Sequence, residues 1–243
     1  NRPEAMNALN ETVIKQLGHA VDAVNGNSAV HTMVLDGAGK AFVAGADVKF
    51  FVDKIRSNAI GDIVEFTSNG HKVLNSIENS SKTTVALTTG LALGGGLELA
   101  LCCDYRIGTR RTQFRFPETS IGIYPGLGGS QRPARISGIP LARWAVLGGN
   151  FMNSQIAYDI GLLTHLVDLS EVDAAVTQCA TSGKPANKYP GKPRNDASPV
   201  VKFASDFYSD NNLSVLLSGG CPAGYDMEEK TISRQLKNLK YTA

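Results

Sequence analysis

Apolar residues recur between residues 10 and 24 at the spacing of one helix face. The positions are Val13, Ile14, Leu17, Val21 and Val24. Residues three and four apart lie on the same side of a helix, so this spacing predicts a helix that Asn10 caps. A second periodic stretch follows Asp47 and runs through Val64 and Val73 to about Ile77. It predicts further helix, with ends that the pattern does not fix.

Short runs of β-branched residues predict strands at 32–35 and at 83–89, the second of which ends at Gly90. Two more short strands are expected at 105–107 and 113–116. Helices are expected at 97–103, 141–147 and 153–160, the last of which stops at Gly161. Strands and helices therefore alternate, which indicates an α/β layered fold.

The last quarter of the chain has a different character. Residues 183–199 contain four prolines among lysines and small residues, so they predict a loop or linker. Residues 200–208 and 226–239 predict two helices, and the second has acidic residues early and lysines late, as the helix dipole favours. We therefore expect a core domain at 1–182, a linker at 183–199 and a C-terminal helical region at 200–243.

Composition fits one domain with a sizeable core, since 42% of the 243 residues are hydrophobic. The net charge is +2 and the basic residues are scattered, which does not favour a nucleic-acid surface. The chain also lacks an apolar run of the roughly 18 residues that a membrane-spanning helix needs, and its start resembles neither a signal nor a transit peptide. We expect a soluble protein without nucleic-acid or membrane partners.

The four cysteines do not form a CxxC pair, and two of them are adjacent in an apolar run. They are Cys102, Cys103, Cys179 and Cys221. This arrangement favours reduced thiols in a cytosol-like compartment, so we expect a cytoplasmic protein without a metal site.

Several familiar site motifs are incomplete. The sequence GAGKAF at 37–42 lacks the third glycine of a dinucleotide loop and the Ser or Thr of a phosphate-binding P-loop. The chain has no GxSxG motif, and its four histidines form no ligand-spaced pair. Nucleotide binding, serine hydrolysis and zinc binding therefore lack support in the sequence.

Glu98 and Glu118 stand twenty residues apart, each beside a glycine-rich turn. Two carboxylates can divide acid and base work around one water. The apolar neighbours of Glu98 should desolvate it and raise its pKa toward a value useful for proton transfer. The glycine triplet at 94–96 lets a ligand approach free backbone N–H groups at a helix start, which suits an oxyanion. The alternative is that each glutamate only caps a helix.

Residues 94–135, together with AFVAGADVK at 41–49, resemble the enoyl-CoA hydratase, or crotonase, family. The resemblance implies an α/β crotonase (ClpP-like) fold of repeated ββα units with a C-terminal helical region. It covers about residues 1–168 firmly. Residues 1–10 resemble the loop after the first strands of the family, so we expect those strands to be missing. The tail at 200–243 resembles the linker region of crotonase domains fused to a 3-hydroxyacyl-CoA dehydrogenase, and we expect it to be truncated.

The resemblance also implies a chemistry. Crotonase-like enzymes hold an acyl-CoA thioester carbonyl between two backbone N–H groups, and the reaction passes through an enolate. By motif position, the donors of this oxyanion hole would be Ala46 and Gly95. Glu118 would deliver a proton at C2, and Glu98 would orient or activate the water that attacks C3. Gly126 matches the backbone group that supports this water.

Coenzyme A is expected over the turn at 44–49. The resemblance implies that adenine contacts main-chain groups of Ala44, Ala46, Asp47 and Val48, and that Lys49 meets a phosphate. A merely solvated Lys49 is an equal alternative. Coenzyme A is part of the substrate, so the reaction would need no metal or organic cofactor. Arg115 and Pro133 depart from the pattern of many relatives, and either change could reshape the acyl pocket.

Enoyl-CoA hydratase acting in fatty acid β-oxidation is the leading hypothesis, because the chain retains both glutamates. One alternative is enoyl-CoA isomerisation or another thioester-enolate reaction. Another alternative, from a different class, is a non-catalytic CoA-binding or assembly subunit. The resemblance further implies a homo-oligomer, either a trimer or a dimer of trimers, and fusion to or pairing with a 3-hydroxyacyl-CoA dehydrogenase.

Overall fold

A computed structural model describes residues 1–210 of the chain. The elements in chain order are α1 (Glu11–Gly26), β1 (Thr32–Asp36), β2 (Ala41–Ala44), α2 (Val48–Arg56), α3 (Ile60–Glu78), β3 (Thr83–Thr88), β4 (Leu91–Leu93), α4 (Gly95–Leu101), β5 (Tyr105–Gly108), β6 (Gln113–Arg115), α5 (Arg132–Ser137), α6 (Ile139–Gly148), β7 (Met152–Asn153), α7 (Ser154–Asp159), β8 (His165–Leu166), α8 (Val172–Ser182) and α9 (Pro199–Phe207). Short 3-10 turns lie at Pro3–Ala5, Glu118–Ile121 and Leu169–Glu171. Within residues 1–210, every helix is too short or too polar to span a lipid bilayer.

The strands form two four-stranded sheets with the orders β1-β3-β5-β8 and β2-β4-β6-β7. The first sheet is parallel throughout, and β7 is the antiparallel strand of the second. Consecutive strands enter different sheets, since β1, β3 and β5 join one while β2, β4 and β6 join the other. One or two helices follow each such pair. The described residues therefore contain the repeated ββα unit that the sequence resemblance implies.

Helix α4 lies at the centre of the molecule, and all of its residues are buried. It packs directly against β2, where a Cβ atom added to Gly96 would lie 2.0 Å from the carbonyl oxygen of Val43. A side chain cannot fit at this distance, so the third glycine of the triplet is required by packing. The close approach brings the start of α4 beside the turn that follows β2.

Several predictions of local structure are confirmed. Asn10 caps α1, where its side-chain oxygen accepts a hydrogen bond from the backbone N–H of Val13 at 2.9 Å. The periodic stretch after Asp47 forms two helices, because the chain turns between α2 and α3 at Asn58, whose φ is +56°. Asparagine tolerates this left-handed conformation better than most residues. The short strands β2, β4, β7 and β8 and the helices α5 and α8 were not predicted.

The Pro-rich segment, residues 183–198, has no helix or strand and lies along the core. Tyr105 donates a hydrogen bond from its hydroxyl to the carbonyl of Gly183 at 2.9 Å. The ammonium groups of Lys184 and Lys188 lie 3.1 and 3.5 Å from the buried carboxylate of Asp104. These contacts fasten the segment to β5.

Helix α9 follows the Pro-rich segment and packs into the main core through Val200, Val201 and Ala204. Its bounds match the helix predicted at 200–208. The second predicted C-terminal helix, at 226–239, lies outside the described residues. The proposed division of the chain at 182 and 199 stays a prediction.

Candidate active site

Glu98 is buried in α4, and two backbone donors hold its side chain. Its Oε1 atom accepts hydrogen bonds from the N–H groups of Leu127 at 2.7 Å and Gly129 at 2.6 Å. Burial raises the pKa of Glu98 above its ordinary value, while these two hydrogen bonds and the positive charge of Arg132 oppose the rise. The surroundings thus provide specific stabilisation of an ionised Glu98.

Glu118 begins the 3-10 turn that follows β6, and it is also buried. Its Oε2 atom has no hydrogen-bond partner among the described residues. Burial raises the pKa of Glu118 to about 7, its own backbone N–H opposes the rise, and the charge of Glu98 adds to it. A carboxyl group in such surroundings is readily protonated near neutral pH and has a free oxygen to present to a reactant.

The two carboxyl groups are therefore close enough to interact and differ in their surroundings. Glu98 has the hydrogen bonds that favour the ionised form, whereas Oε2 of Glu118 has none among residues 1–210. Burial favours the protonated form of Glu118, whose pKa is about 7, while the two N–H donors and Arg132 favour the ionised form of Glu98. Two carboxyl groups in such unlike surroundings can act as an acid and a base in one reaction.

Glycines make room for both carboxylates. A Cβ atom on Gly94 would lie 2.7 Å from Oε1 of Glu118, and one on Gly129 would lie 3.0 Å from Oε1 of Glu98. Contacts this short between carbon and oxygen are repulsive, so a larger residue would displace either carboxylate. The glycine-rich turns noticed in the sequence thus serve the placement of the two glutamates.

Ala46 and Gly95 lie side by side at the start of α4. A Cβ atom on Gly95 would lie 3.8 Å from the backbone nitrogen of Ala46. Ala46 forms a parallel bridge with Leu9, in which Leu9 donates to Gly45 and accepts from Asp47, both at 2.8 Å. This pattern turns the N–H of Ala46 away from Leu9. Within residues 1–210, neither Ala46 nor Gly95 donates a backbone hydrogen bond in a turn or loop. The two N–H groups can therefore receive one ligand oxygen.

Comparison with known proteins shows which family the chain belongs to. The family described as "Enoyl-CoA hydratase/isomerase" matches residues 1–211. The chain belongs to the enoyl-CoA hydratase/isomerase family. A crotonyl-CoA hydratase of Syntrophomonas wolfei is 40% identical over 181 residues, which cover 74% of this chain and 68% of that protein. A short-chain-enoyl-CoA hydratase of Clostridium acetobutylicum is 36% identical over 175 residues, which cover 71% of this chain and 65% of that protein.

Solved structures of the enoyl-CoA hydratase/isomerase family share the fold. The crystal structure of an enoyl-CoA hydratase from Bacillus anthracis superposes with a TM-score of 0.69 at 25% identity. That comparison covers 100% of this chain and 85% of the Bacillus chain. The predicted α/β crotonase fold is therefore confirmed.

Gly126 lies immediately before the turn that holds Glu98. A Cβ atom on Gly126 would meet no described atom within 4 Å, so the space next to this residue is open. The donors to Glu98 are Leu127 and Gly129, which the sequence interpretation did not single out. The GLGG sequence at 126–129 was the available signal, since free N–H groups often accompany such turns. Support of a water by Gly126 stays a prediction.

The turn predicted to bind coenzyme A is partly occupied by the start of the chain. The N–H of Ala44 donates to the carbonyl of Met6 at 3.0 Å, and that of Asp47 donates to Leu9 at 2.8 Å. The Asp47 carboxylate also pairs with Arg2 at 3.2 Å. The N–H groups of Ala44 and Asp47 are thus already used, which limits the predicted adenine contacts to other main-chain groups of the turn.

Val48 and Lys49 are both exposed at the start of α2. Lys49 lines a cavity of about 210 Å³ that also includes Asp47 and Asp53. These carboxylates would repel a phosphate in the cavity itself. Contact between Lys49 and a phosphate therefore requires its flexible side chain to turn outward, and this contact stays a prediction.

The described residues contain no group of three or more His, Cys, Asp or Glu placed to hold a metal ion. The expectation that the reaction uses neither a metal nor an organic cofactor stays a prediction.

Proposed function

We propose that this protein is an enoyl-CoA hydratase, which adds water across the C2=C3 bond of a 2-enoyl-CoA thioester and dehydrates a 3-hydroxyacyl-CoA in reverse. The observation that supports this proposal is the pair of buried glutamates with unlike surroundings. Glu98 is held by two N–H donors, and Glu118 has a pKa of about 7 and an unpartnered oxygen. Hydration needs a base and an acid of this kind around one water.

The backbone donors would stabilise charge on the thioester. We place the thioester carbonyl oxygen between the N–H groups of Ala46 and Gly95. As water adds to C3, negative charge moves onto this oxygen and forms an enolate. Two preorganised donors at such a position contribute roughly 3–4 kcal/mol each when they act as an oxyanion hole. Small residues at both positions keep the approach open.

The two glutamates would then move protons in opposite senses. Ionised Glu98 removes a proton from the attacking water as its oxygen bonds to C3. Protonated Glu118 gives its proton to C2 as the enolate collapses. The product carries one added OH and one added H, while the pair ends with the proton on Glu98. Exchange with water returns the proton to Glu118, so this sequence requires no metal or organic cofactor.

Short-chain thioesters are the proposed substrates. The relatives named crotonyl-CoA hydratase and short-chain-enoyl-CoA hydratase share 40% and 36% identity with this chain. Crotonyl-CoA is accordingly the first substrate to test.

We further propose that the reaction belongs to fatty acid β-oxidation and that the protein forms a trimer or a dimer of trimers in the cytoplasm. Exposed Ile121, Ile123 and Tyr124, which are 56–77% accessible, support assembly. Three buried cysteines without disulfides, Cys102, Cys103 and Cys179, support a reducing compartment. Fusion to or pairing with a 3-hydroxyacyl-CoA dehydrogenase would follow from the chemistry, because that enzyme consumes the hydrated product.

Loss of the enoyl-thioester absorbance of crotonyl-CoA tests the proposal. The parent chain should hydrate crotonyl-CoA, and Glu98→Gln and Glu118→Gln should each lower kcat by at least roughly 10²-fold, the scale of a lost acid or base. Glu65→Gln, on the exposed side of α3, is the matched control and should retain the parent rate. A parent that binds CoA without hydrating crotonyl-CoA would overturn the proposal and favour a non-catalytic binding subunit.

Product analysis separates hydration from isomerisation. Incubation with a 3-enoyl-CoA should leave the substrate unchanged if the protein is only a hydratase. Accumulation of the 2-enoyl-CoA without incorporation of water would instead support the isomerase alternative.

A further inference from the structure

Arg132 connects the Glu98 site to a distant part of the fold. It is 5% exposed at the start of α5, and its Nη1 atom donates to the carbonyl oxygen of Leu127 at 2.7 Å. The N–H of the same Leu127 donates to Oε1 of Glu98 at 2.7 Å. Leu127 therefore links the guanidinium of Arg132 to the carboxylate of Glu98, through one backbone hydrogen bond on each side.

Outside the turn, the guanidinium donates to the side chains of Glu78 and Asn75, the latter from Nη2 at 3.4 Å. The Nε and Nη2 atoms of Arg132 donate to Oε2 of Glu78 at 3.1 and 2.6 Å. Tyr189, from the Pro-rich segment, donates its hydroxyl to the other carboxylate oxygen of Glu78. Both oxygens of Glu78 are thus used, and the ion pair is largely buried. A charge-assisted pair of this kind holds its geometry more firmly than a neutral hydrogen bond does.

Packing leaves the 127–129 turn little freedom. A Cβ atom on Gly128 would lie 2.1 Å from Nη1 of Arg132, and one on Gly70 would lie 2.8 Å from a methyl carbon of Leu127. The guanidinium of Arg132 contacts one side of the turn, and α3 contacts the other side at Gly70. Arg132 and α3 therefore fix the position of the 127–129 turn.

With the hydratase function proposed above as its basis, we propose that Arg132 is a positioning residue, which Glu78 and Tyr189 hold so that the 127–129 turn keeps both of its N–H groups on Glu98. Removal of this support would let the turn shift and weaken the two hydrogen bonds that favour ionised Glu98. The expected consequence is a poorer base, with substrate binding little affected.

Charge adds a signature that packing alone cannot produce. Among the described residues, two charged groups interact electrostatically with Glu98: Arg132, and the second carboxyl group, Glu118. Glu78 forms an ion pair with Arg132 and partly offsets its positive charge. The positive charge of Arg132 lowers the pKa of Glu98. If this charge is removed, the pKa of Glu98 rises, so the acidic limb of the kcat/KM profile should move to higher pH.

Three variants of the full chain test the proposal. Arg132→Met should lower kcat on crotonyl-CoA on the order of 10-fold, leave KM within about 3-fold, and raise the acidic limb by roughly 0.5 pH unit or more, less than a direct charge contact produces. Arg132→Lys keeps the charge but loses the fork, so it should lower kcat with a smaller pH shift. Arg143→Met removes an arginine on α6 and should change neither quantity.

Glu78→Gln supplies a test with the opposite sign. It removes the charge that compensates Arg132, so the acidic limb should move to lower pH while the amide still accepts a hydrogen bond. This variant also serves if Arg132→Met does not fold. The proposal would be overturned if the acidic limb of the kcat/KM profile kept the parent pH in Glu78→Gln and in every Arg132 variant that folds.

Direct titration separates this inference from the proposed function. The ¹³C resonance of the Glu98 carboxyl, assigned by its loss in Glu98→Gln, can be followed with pH in each variant without any substrate. A parent that does not hydrate crotonyl-CoA would overturn the proposed function alone if the Glu98 titration still shifts upward in Arg132→Met. An active parent whose Glu98 titration does not shift in Arg132→Met would overturn the role of Arg132 alone.

Discussion

A Cβ atom on Gly94 would lie 2.7 Å from the Oε1 atom of Glu118, so the carboxyl group rests directly on the backbone before α4. Gly94 also has φ +46° and ψ −123°, a region that other residues rarely adopt. The placement of Glu118 therefore depends on a glycine that lies twenty-four residues earlier in the chain.

We predict that Gly94→Ala displaces Glu118 and lowers the hydration rate by roughly 10- to 100-fold, the scale of a misplaced catalytic group. The backbone conformation should also cost about 1–3 kcal/mol of folding free energy. Crotonyl-CoA kinetics and urea unfolding measure the two effects. Gly61→Ala in α3 is the control, because its Cβ would meet no described atom within 4 Å. Parent-like kinetics for Gly94→Ala would contradict the placement of Glu118.

The proposed mechanism predicts a bell-shaped pH dependence. It needs ionised Glu98 and protonated Glu118, so its active form carries one proton on the pair. Since the pKa of Glu118 is about 7, kcat/KM should fall as pH rises through about 7. It should also fall at low pH, when Glu98 gains a proton.

The reverse reaction must show the same pH dependence. Dehydration uses the other arrangement of the same single proton, and the overall reaction releases no proton. The kcat/KM profiles for crotonyl-CoA and for 3-hydroxybutyryl-CoA should therefore have the same two limbs. A kcat/KM that does not fall as pH rises through about 7 would contradict the role of Glu118 as the acid.

Glu118 should reduce stability when it is ionised. Its pKa rises from the ordinary 4.5 to about 7 in the folded protein, so folding favours the protonated form. The stabilisation of the folded state by protonated Glu118 is fully present below pH 4.5 and is lost as pH rises through 7. Glu118→Gln should consequently increase the free energy of unfolding at pH 8, by up to about 3 kcal/mol.

Urea unfolding at pH 8 and pH 4.5 checks this sign. The parent and Glu118→Gln should differ at pH 8 and agree within about 0.5 kcal/mol at pH 4.5. A variant less stable than the parent at pH 8 would show that ionised Glu118 is not disfavoured in the folded state.

Asp104 should control the attachment of the Pro-rich segment. Its buried carboxylate accepts hydrogen bonds from the N–H and hydroxyl of Thr84 at 2.9 and 3.0 Å and faces Lys184 and Lys188. Asp104→Asn leaves these ammonium groups without a counter-charge and should cost about 3 kcal/mol of stability. Amide exchange of residues 184–195 should become faster.

The exposed pair Arg110–Asp168 provides the control for this measurement. Asp168→Asn removes the same charge at the surface and should change stability by less than about 1 kcal/mol. Equal amide exchange at 184–195 in the parent and Asp104→Asn would contradict the role of Asp104 in holding the segment.

Local patterns in the sequence determined the elements whose signals come from neighbouring residues. Asn10 and the apolar face behind it define α1 through a cap and a spacing that neighbouring residues supply. A run of β-branched residues, which is typical of strands, predicted β3. The glycine triplet and the two glutamates were also apparent in the sequence, and they identified the family and a candidate acid-base pair.

Short elements depended on their surroundings. The strands β2 and β4 have four and three residues, and apolar runs of that length do not distinguish a strand from a segment of buried helix. The break between α2 and α3 required a left-handed conformation at Asn58, which the sequence pattern permits but does not demand.

Tertiary structure alone decided how the two carboxyl groups differ. Both are glutamates beside glycines in the sequence, yet the turn at 127–129 donates to Glu98, while Oε2 of Glu118 has no partner within residues 1–210. The support of Arg132 also joins distant parts of the chain. Arg132 lies 54 positions from Glu78, and Glu78 lies 111 positions from Tyr189. The physical reason is that a pKa depends on desolvation and on nearby charges, and both are set by residues that only folding brings together.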